Sequence, residues 1–267
     1  MINTSGNGRF GNQFFRNMVG YLLSKKYDKQ CIFQECEDFN KLGIYFKSKN
    51  VDISDISKKK NVYITEENII NFLKEDVVFD YNIFFNNVYC QSKYVSQLIY
   101  DLFNNKNNKL HLSVINNNKF KYNYNNNDDV FIHIRLGDII PFIESRCPPI
   151  QYYENILDNL EYKNGYIASD SIDHDMCKKL IFKYNLKIIN YDKIETILFG
   201  STFKNVILST GTFSWLIGIL SFYSSNIYYY NPAKIIEWYG PIFEINFDKN
   251  KWKMKDIKIP NMNSFII

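Results

Sequence analysis

The sequence predicts an α/β protein whose C-terminal half is a doubly wound, Rossmann-like sheet. Two observations carry that expectation. From residue 129 onward, short runs rich in β-branched and aromatic residues (130–134, 166–168, 187–190, 205–209, 226–230) alternate with stretches of helical periodicity at 150–160, 173–184 and 212–223. That is the pattern of parallel strands joined by crossover helices. The first of these strands, Val130-Phe131-Ile132-His133-Ile134, is apolar enough to be buried on both faces, then breaks off in Arg135-Leu136-Gly137-Asp138.

The chain can supply the cores such a fold needs. Its 267 residues are 46% hydrophobic, with 22 Phe and 21 Tyr, which excludes a disordered chain. A net charge of +4, with acids interspersed among the lysines, gives no reason to expect nucleic acid as a partner. Five cysteines, Cys31, Cys36, Cys90, Cys147 and Cys177, lack Cys-x-x-Cys spacing, so neither a zinc site nor a disulfide framework is expected. The N-terminus has no apolar signal core, and the longest nearly apolar run, 213–223, is far short of the roughly 20 residues of a membrane span. A soluble, cytoplasmic protein without an integral membrane segment is expected.

In chain order, the first feature is Gly6-Asn7-Gly8-Arg9-Phe10-Gly11-Asn12-Gln13, followed by the apolar pairs Phe14/Phe15, Met18/Val19 and Leu22/Leu23 at helical spacing. A glycine loop thus feeds a helix N-terminus, where unpaired backbone N–H groups can meet an anion or a sugar hydroxyl. The Gly-Lys-Ser/Thr end of a P-loop is missing. Between 30 and 103, strands at 31–34, 62–65 and 88–91 alternate with helices at 66–74 and 92–103, forming a first α/β unit. Lys58-Lys59-Lys60 reads as a solvated turn. The Asn- and Lys-rich stretch from 104 to 128, around an apolar piece at 110–115, reads as loop or linker. It divides the chain into an N-terminal α/β domain, 1–128, and a C-terminal Rossmann-like domain, 129–267.

Chemistry gathers at the strand ends of the second domain. Arg135 and Asp138 follow the first strand, Ser169 and Asp170 the second, and Thr210 and Thr212 a later one. Ligands of open parallel sheets sit beyond the carboxyl ends of the strands, and a guanidinium held by a carboxylate offers a planar fork to phosphate. Each cluster alone has an ordinary structural reading: a surface ion pair at Arg135, and helix caps at Ser169-Asp170 and at Ser209-Thr210-Gly211-Thr212-Phe213-Ser214. Their convergence on one edge argues for a phosphate-bearing ligand.

These motifs also carry a resemblance. Gly8-Arg9-Phe10-Gly11-Asn12-Gln13, Gln91-Ser92-Lys93-Tyr94, His133-Ile134-Arg135-Leu136-Gly137-Asp138, Tyr166-Ile167-Ala168-Ser169-Asp170 and Thr212-Phe213-Ser214-Trp215 stand in the order seen in fucosyltransferases that use GDP-fucose. The spacing resembles the α-1,2-fucosyltransferases of glycosyltransferase family 11, which share motifs with α-1,6- and protein-O-fucosyltransferases. The resemblance implies a GT-B-like fold, two Rossmann-like halves facing across a cleft, with the donor in the C-terminal half. It implies inverting transfer of L-fucose from GDP-fucose to a glycan hydroxyl, without a metal and with no cofactor beyond the donor substrate. The partners it implies are a nucleotide sugar and a glycan acceptor.

Residue by residue, the resemblance gives Arg135 to the β-phosphate, His133 to the vicinity of the nucleotide, and Asp138 to support of the arginine. It gives Asp170 to guanine, Thr212 and Ser214 to the pyrophosphate, and Asn12 to the reacting sugar, with Gly8, Gly11, Ser169 and Phe213 in the same donor-binding motifs. Glu144, before Pro149-Ile150, matches the α-1,6 enzymes' glutamate and is the candidate general base, with pairing to Arg146 as its alternative. Two departures stand out. Leu136 replaces a usual second arginine, so phosphate neutralisation is either weaker or supplied elsewhere, and a serine-rich stretch is thinned to Thr210-Gly211. Two other functions remain open: a metal-dependent transferase using Asp173 and Asp175, an Asp-x-Asp at a helix start, or a non-catalytic carbohydrate-binding protein.

Overall fold

The computed structural model describes residues 1–6, 8–34, 36–47, 59–76, 81–86, 88–124, 128–231 and 241–256. It is α/β, built on two wholly parallel sheets of four and six strands. The first contains β1 (Ile2–Asn3), α1 (Phe10–Tyr27), β2 (Cys31–Ile32), α2 (Cys36–Lys41), β3 (Lys60–Ile64), α3 (Ile69–Lys74) and β4 (Tyr81–Phe85), followed by α4 (Lys93–Asn104) and α5 (Lys109–Asn117). Its strand order is β2-β1-β4-β3.

The second half runs β5 (Val130–Ile134), α6 (Ile143–Arg146), α7 (Ile150–Asp158), β6 (Gly165–Ser169), α8 (Asp175–Tyr184), β7 (Lys187–Ile188), α9 (Lys193–Gly200), β8 (Asn205–Ile207), α10 (Gly211–Leu220), β9 (Asn226–Tyr230) and β10 (Trp252–Lys255). Across the sheet the order is β7-β6-β5-β8-β9-β10. Counted from β5, this is the 3-2-1-4-5-6 order of a Rossmann sheet, with its reversal between β5 and β8.

The central strand β5 is buried along its length. Its side chains alternate between faces as a strand requires. Val130, Ile132 and Ile134 pack with Tyr152, Tyr153 and Leu180 on one side, and Phe131 packs with Phe199 and Phe203 on the other. The core on the Phe131 side continues into the first half through α1, where the Phe15 and Trp215 rings lie 5.0 Å apart. Gly11 permits this approach, because a Cβ there would sit 2.2 Å from Thr212 Oγ1. Among the described residues no helix is long and apolar enough to cross a membrane.

Several local expectations are corrected. The strand expected at 88–91 is a loop, and the strand of this region is β4, seven residues earlier, paired on both sides by β1 and β3. Cys90 has φ +59 and so cannot continue a ladder, and the amides of Tyr89 and Cys90 donate instead to Glu66 Oε1, at 2.8 and 2.9 Å. The stretch read as linker contains α5, which buries Leu110, His111 and Val114, with Phe120 and Tyr124 buried beyond it. Its asparagines act locally: Asn108 caps α5 through the Leu110 amide, and Asn118 donates to Leu198 O. Lys60 opens β3 rather than a turn, and Lys58 lies outside the described residues. Helix α9, the short α6 and strand β10 were not expected.

Candidate active site

The carboxyl ends of both sheets open into one cavity of about 1240 Å³. Pockets for a single small ligand usually span roughly 300–1,000 Å³, so this one has room for a large ligand or two. The loop after β1 contributes Gly8 and Arg9 and the first turn of α1 contributes Gly11 and Asn12, while loops after β3 and β4 add Glu66, Tyr89, Gln91 and Ser92. From the second half come His133, Arg135 and Asp138 after β5, Ser169 and Asp170 after β6, and Asn190, Tyr191 and Lys193 after β7. Thr212 and Phe213 complete the wall at the start of α10.

Asp138 binds these two sets together. Arg135 Nη2 donates to Asp138 Oδ1 at 2.7 Å, and Arg9 Nη1 donates to the same oxygen at 3.0 Å. Two guanidinium groups, one from each half, are thus held over one carboxylate. Arg9 is 62% exposed, so the pair adds little stability, and its consequence is positional. Arg9 thus brings a second guanidinium to this strand end from the opposite half, while the Leu136 side chain is fully buried. A third cation, Lys193, pairs with Asp38 at 2.6 Å, which lowers the pKa of Asp38.

The glycine loop is held from below by α1. Buried Arg16 donates to Ser5 O and, at 2.8 Å, to Phe85 O, tying together the carboxyl ends of β1 and β4. Gln13 Nε2 donates to Gly6 O at 2.7 Å and Gly8 O at 3.3 Å. Asn17 accepts from Thr4 Oγ1 and donates to Gln34 O. Asn12 receives Gln91 Nε2 on its Oδ1 at 2.7 Å, with Thr212 Oγ1 at 3.5 Å, which leaves its NH2 end as the donor it can offer a ligand.

In the second half, β5 itself aims the site. His133 is buried, its Nδ1 lies 2.6 Å from Ser214 Oγ, and burial followed by the Arg135 charge lowers its pKa from 6.5 to about 3. The imidazole is therefore neutral at physiological pH. Asp170 Oδ1 accepts from the Leu136 amide at 2.7 Å, and its carboxylate lies against Gly137, where a Cβ would fall 2.4 Å from Oδ2. Gly137 also has φ +26. Helices α1 and α10 both begin at the cavity without a side-chain cap, so their first N–H groups remain for a ligand or water. Thr210 is turned away from that role, donating to Arg146 O at 2.8 Å.

The cavity gathers ten residues singled out from the sequence: Gly8, Gly11, Asn12, His133, Arg135, Asp138, Ser169, Asp170, Thr212 and Phe213. Ser214 is buried behind the wall, touching it through His133. Glu144, exposed on α6, is outside the lining, and Arg146 lies over the Phe142 ring at 4.4 Å. Asp173 and Asp175 also lie outside it; between them His174 caps α8 by accepting from the Met176 amide. Among the described residues no group of three or more His, Cys, Asp or Glu could hold a metal ion. Cys31, Cys90, Cys147 and Cys177 are buried, and burial raises the pKa of Cys90 and Cys177 and pushes Cys147 to about 12. Of the residues sequence reasoning missed, Arg9 lay within a motif already singled out, Lys193 opens an unexpected helix, and Glu66 had no sequence signal.

No family model matches this sequence, and no curated protein does. Among solved structures, the fold is similar to POFUT1 in its apo form, over 82% of this chain and 93% of that chain, at 12% identity and a TM-score of 0.44. It is similar to POFUT1 in complex with GDP over the same shares, at 13% identity and a TM-score of 0.44.

Proposed function

We propose that this chain is an inverting glycosyltransferase that transfers L-fucose from GDP-fucose to a glycan hydroxyl, as an α-1,2-fucosyltransferase does, without a metal. The observation that carries the reading is the Asp138 clasp, which holds Arg135 and Arg9 from opposite halves over one cavity. Among the described residues the six lining charges, Arg9, Arg135 and Lys193 against Glu66, Asp138 and Asp170, cancel formally. Binding of a diphosphate therefore rests on directed donors rather than on a general positive field.

In this reading the diphosphate lies at the two guanidinium groups and the uncapped start of α10. As the bond from the anomeric carbon to the β-phosphate oxygen lengthens, negative charge grows on that oxygen. Donors already in place stabilise that charge more than they stabilise the bound donor, which lowers the barrier. Asn12 offers its NH2 to the same region. Neutral His133 keeps Ser214 and the base of the Arg135 strand in register without adding a charge. Asp170 Oδ2, with Oδ1 occupied by the Leu136 amide, accepts from the guanine edge, a contact a uracil base does not reproduce.

A nucleotide panel followed by thermal denaturation in EDTA tests this. GDP at 100 times its dissociation constant should stabilise the fold by about 2.7 kcal/mol. UDP and ADP should give much less. Stabilisation by UDP with manganese exceeding that by GDP would overturn the proposal.

A further inference from the structure

Among the described residues three carboxylates line the cavity, and their partners differ. Asp138 is committed to two guanidinium groups. Asp170 holds the Leu136 amide on Oδ1, and its Oδ2 is the atom given to guanine in the reading above. Glu66 is exposed on the cavity wall and, among the described residues, has no cation partner; its Oε1 accepts the Tyr89 and Cys90 amides, and its Oε2 has no hydrogen bond among them. Two backbone amides fix the carboxylate's orientation without neutralising its charge.

The location is as informative as the chemistry. Glu66 belongs to the half opposite Arg135 and Asp170. A Cβ on Gly8 would touch both the Tyr89 ring, at 3.2 Å, and Asn12 Nδ2, at 3.1 Å, so the loop clasped by Glu66 runs beside Asn12. The aromatic ring of Tyr89, itself on the cavity wall, offers a face for the apolar side of a sugar ring.

We propose that Glu66 is the carboxylate that receives the proton of the attacking acceptor hydroxyl, with the acceptor sugar lying against Tyr89. This rests on the glycosyl-transfer reading above. The hydroxyl oxygen bonds to the anomeric carbon while the bond from that carbon to the β-phosphate oxygen breaks. The electron pair of that bond leaves with GDP, and the hydroxyl proton passes to Glu66 Oε2 and then to solvent. The exposed α6 glutamate, Glu144, has no part in this step.

Glu66→Gln separates chemistry from architecture, because the Gln carbonyl oxygen can still accept both loop amides while the side chain can no longer take a proton. The measurement is GDP release from GDP-fucose in EDTA, with water alone and with lactose as acceptor, alongside melting temperature and calorimetric GDP affinity. Glu66→Gln should keep the melting temperature and the KM for GDP-fucose near those of the wild type and lower kcat about 100-fold, the lower end of general-base assistance. Glu66→Asp, which keeps the carboxylate, should recover part of the loss. Wild-type kcat in Glu66→Gln, with the loss appearing in Glu144→Gln, overturns the proposal. Loss of fold or of GDP affinity in Glu66→Gln also overturns it, by making the residue a loop clasp. A wild-type protein that neither binds GDP nor releases it from GDP-fucose contradicts the glycosyl-transfer reading itself.

Discussion

The two halves of the molecule bring their loops to the same cavity by different means. In the C-terminal sheet, β5 is five residues long, wholly buried and paired on both sides, so the residues that follow it are positioned by the strand itself. In the N-terminal sheet, β1 has two residues, and the loop after it is fixed by polar side chains of α1 buried beneath it, Gln13, Arg16 and Asn17. A strand end can be aimed by the apolar core; a glycine loop after so short a strand is held instead by side-chain donors from the helix beneath it. The first arrangement should tolerate loss of a site residue. The second should fail when a residue outside the cavity lining is changed.

Arg135→Ala tests the first arm and carries the largest expected effect. Turnover should fall about 10³-fold, as for removal of a donor to developing charge, while the melting temperature stays near wild type because β5 is untouched. Arg135→Lys should recover little, since an ammonium cannot reproduce the fork. A steady-state assay beside a melting curve decides it; a large drop in melting temperature would mean that the strand depends on the ion pair.

Arg16→Met tests the second arm. It removes the Arg16 donor from Ser5 O and Phe85 O, at a cost of about 1–3 kcal/mol for the buried Phe85 acceptor and less for Ser5, which is exposed to water. Urea unfolding should show that loss, and GDP affinity should drop with it although Arg16 does not line the cavity. Intact GDP affinity in a destabilised Arg16→Met would show that the glycine loop supports itself.

This contrast also explains what was legible in the sequence. The C-terminal half announced itself, because its buried strands are long enough to alternate visibly with helices and its polar residues fall at strand ends. In the N-terminal half, β1 and β2 are too short for any periodicity, and the apolar runs at 81–85 and 88–91 look alike until the left-handed Cys90 separates them. Gln13, Arg16 and Asn17 share a helical stripe that reads as a solvent face, yet all three are buried. The asparagine-rich stretch read as linker because composition does not show that its amides cap α5 and reach Leu198. Glu66 was invisible for a similar reason, since its position depends on hydrogen bonds to a loop more than twenty residues away.

A smaller effect sharpens the comparison from the C-terminal side. With the His133 pKa lowered from 6.5 to about 3, the unfolded chain binds a proton between those values that the folded chain refuses. The stability this residue contributes is full above pH 6.5 and is lost as pH falls toward 3. His133→Asn should therefore flatten the acid side of the melting-temperature profile over that window, whatever it does near pH 7. An unchanged acid slope would place the imidazole in contact with water.

Calorimetric titration of GDP and GMP, in EDTA, into the wild type, Arg9→Ala and Arg135→Ala tests most directly the claim that each half delivers a cation to one diphosphate. The wild type should prefer GDP over GMP, and each substitution, though the two lie in different halves, should reduce that preference about tenfold or more. Equal affinity for GDP and GMP, or a preference that depends on Arg135 and is untouched by loss of Arg9, would contradict it.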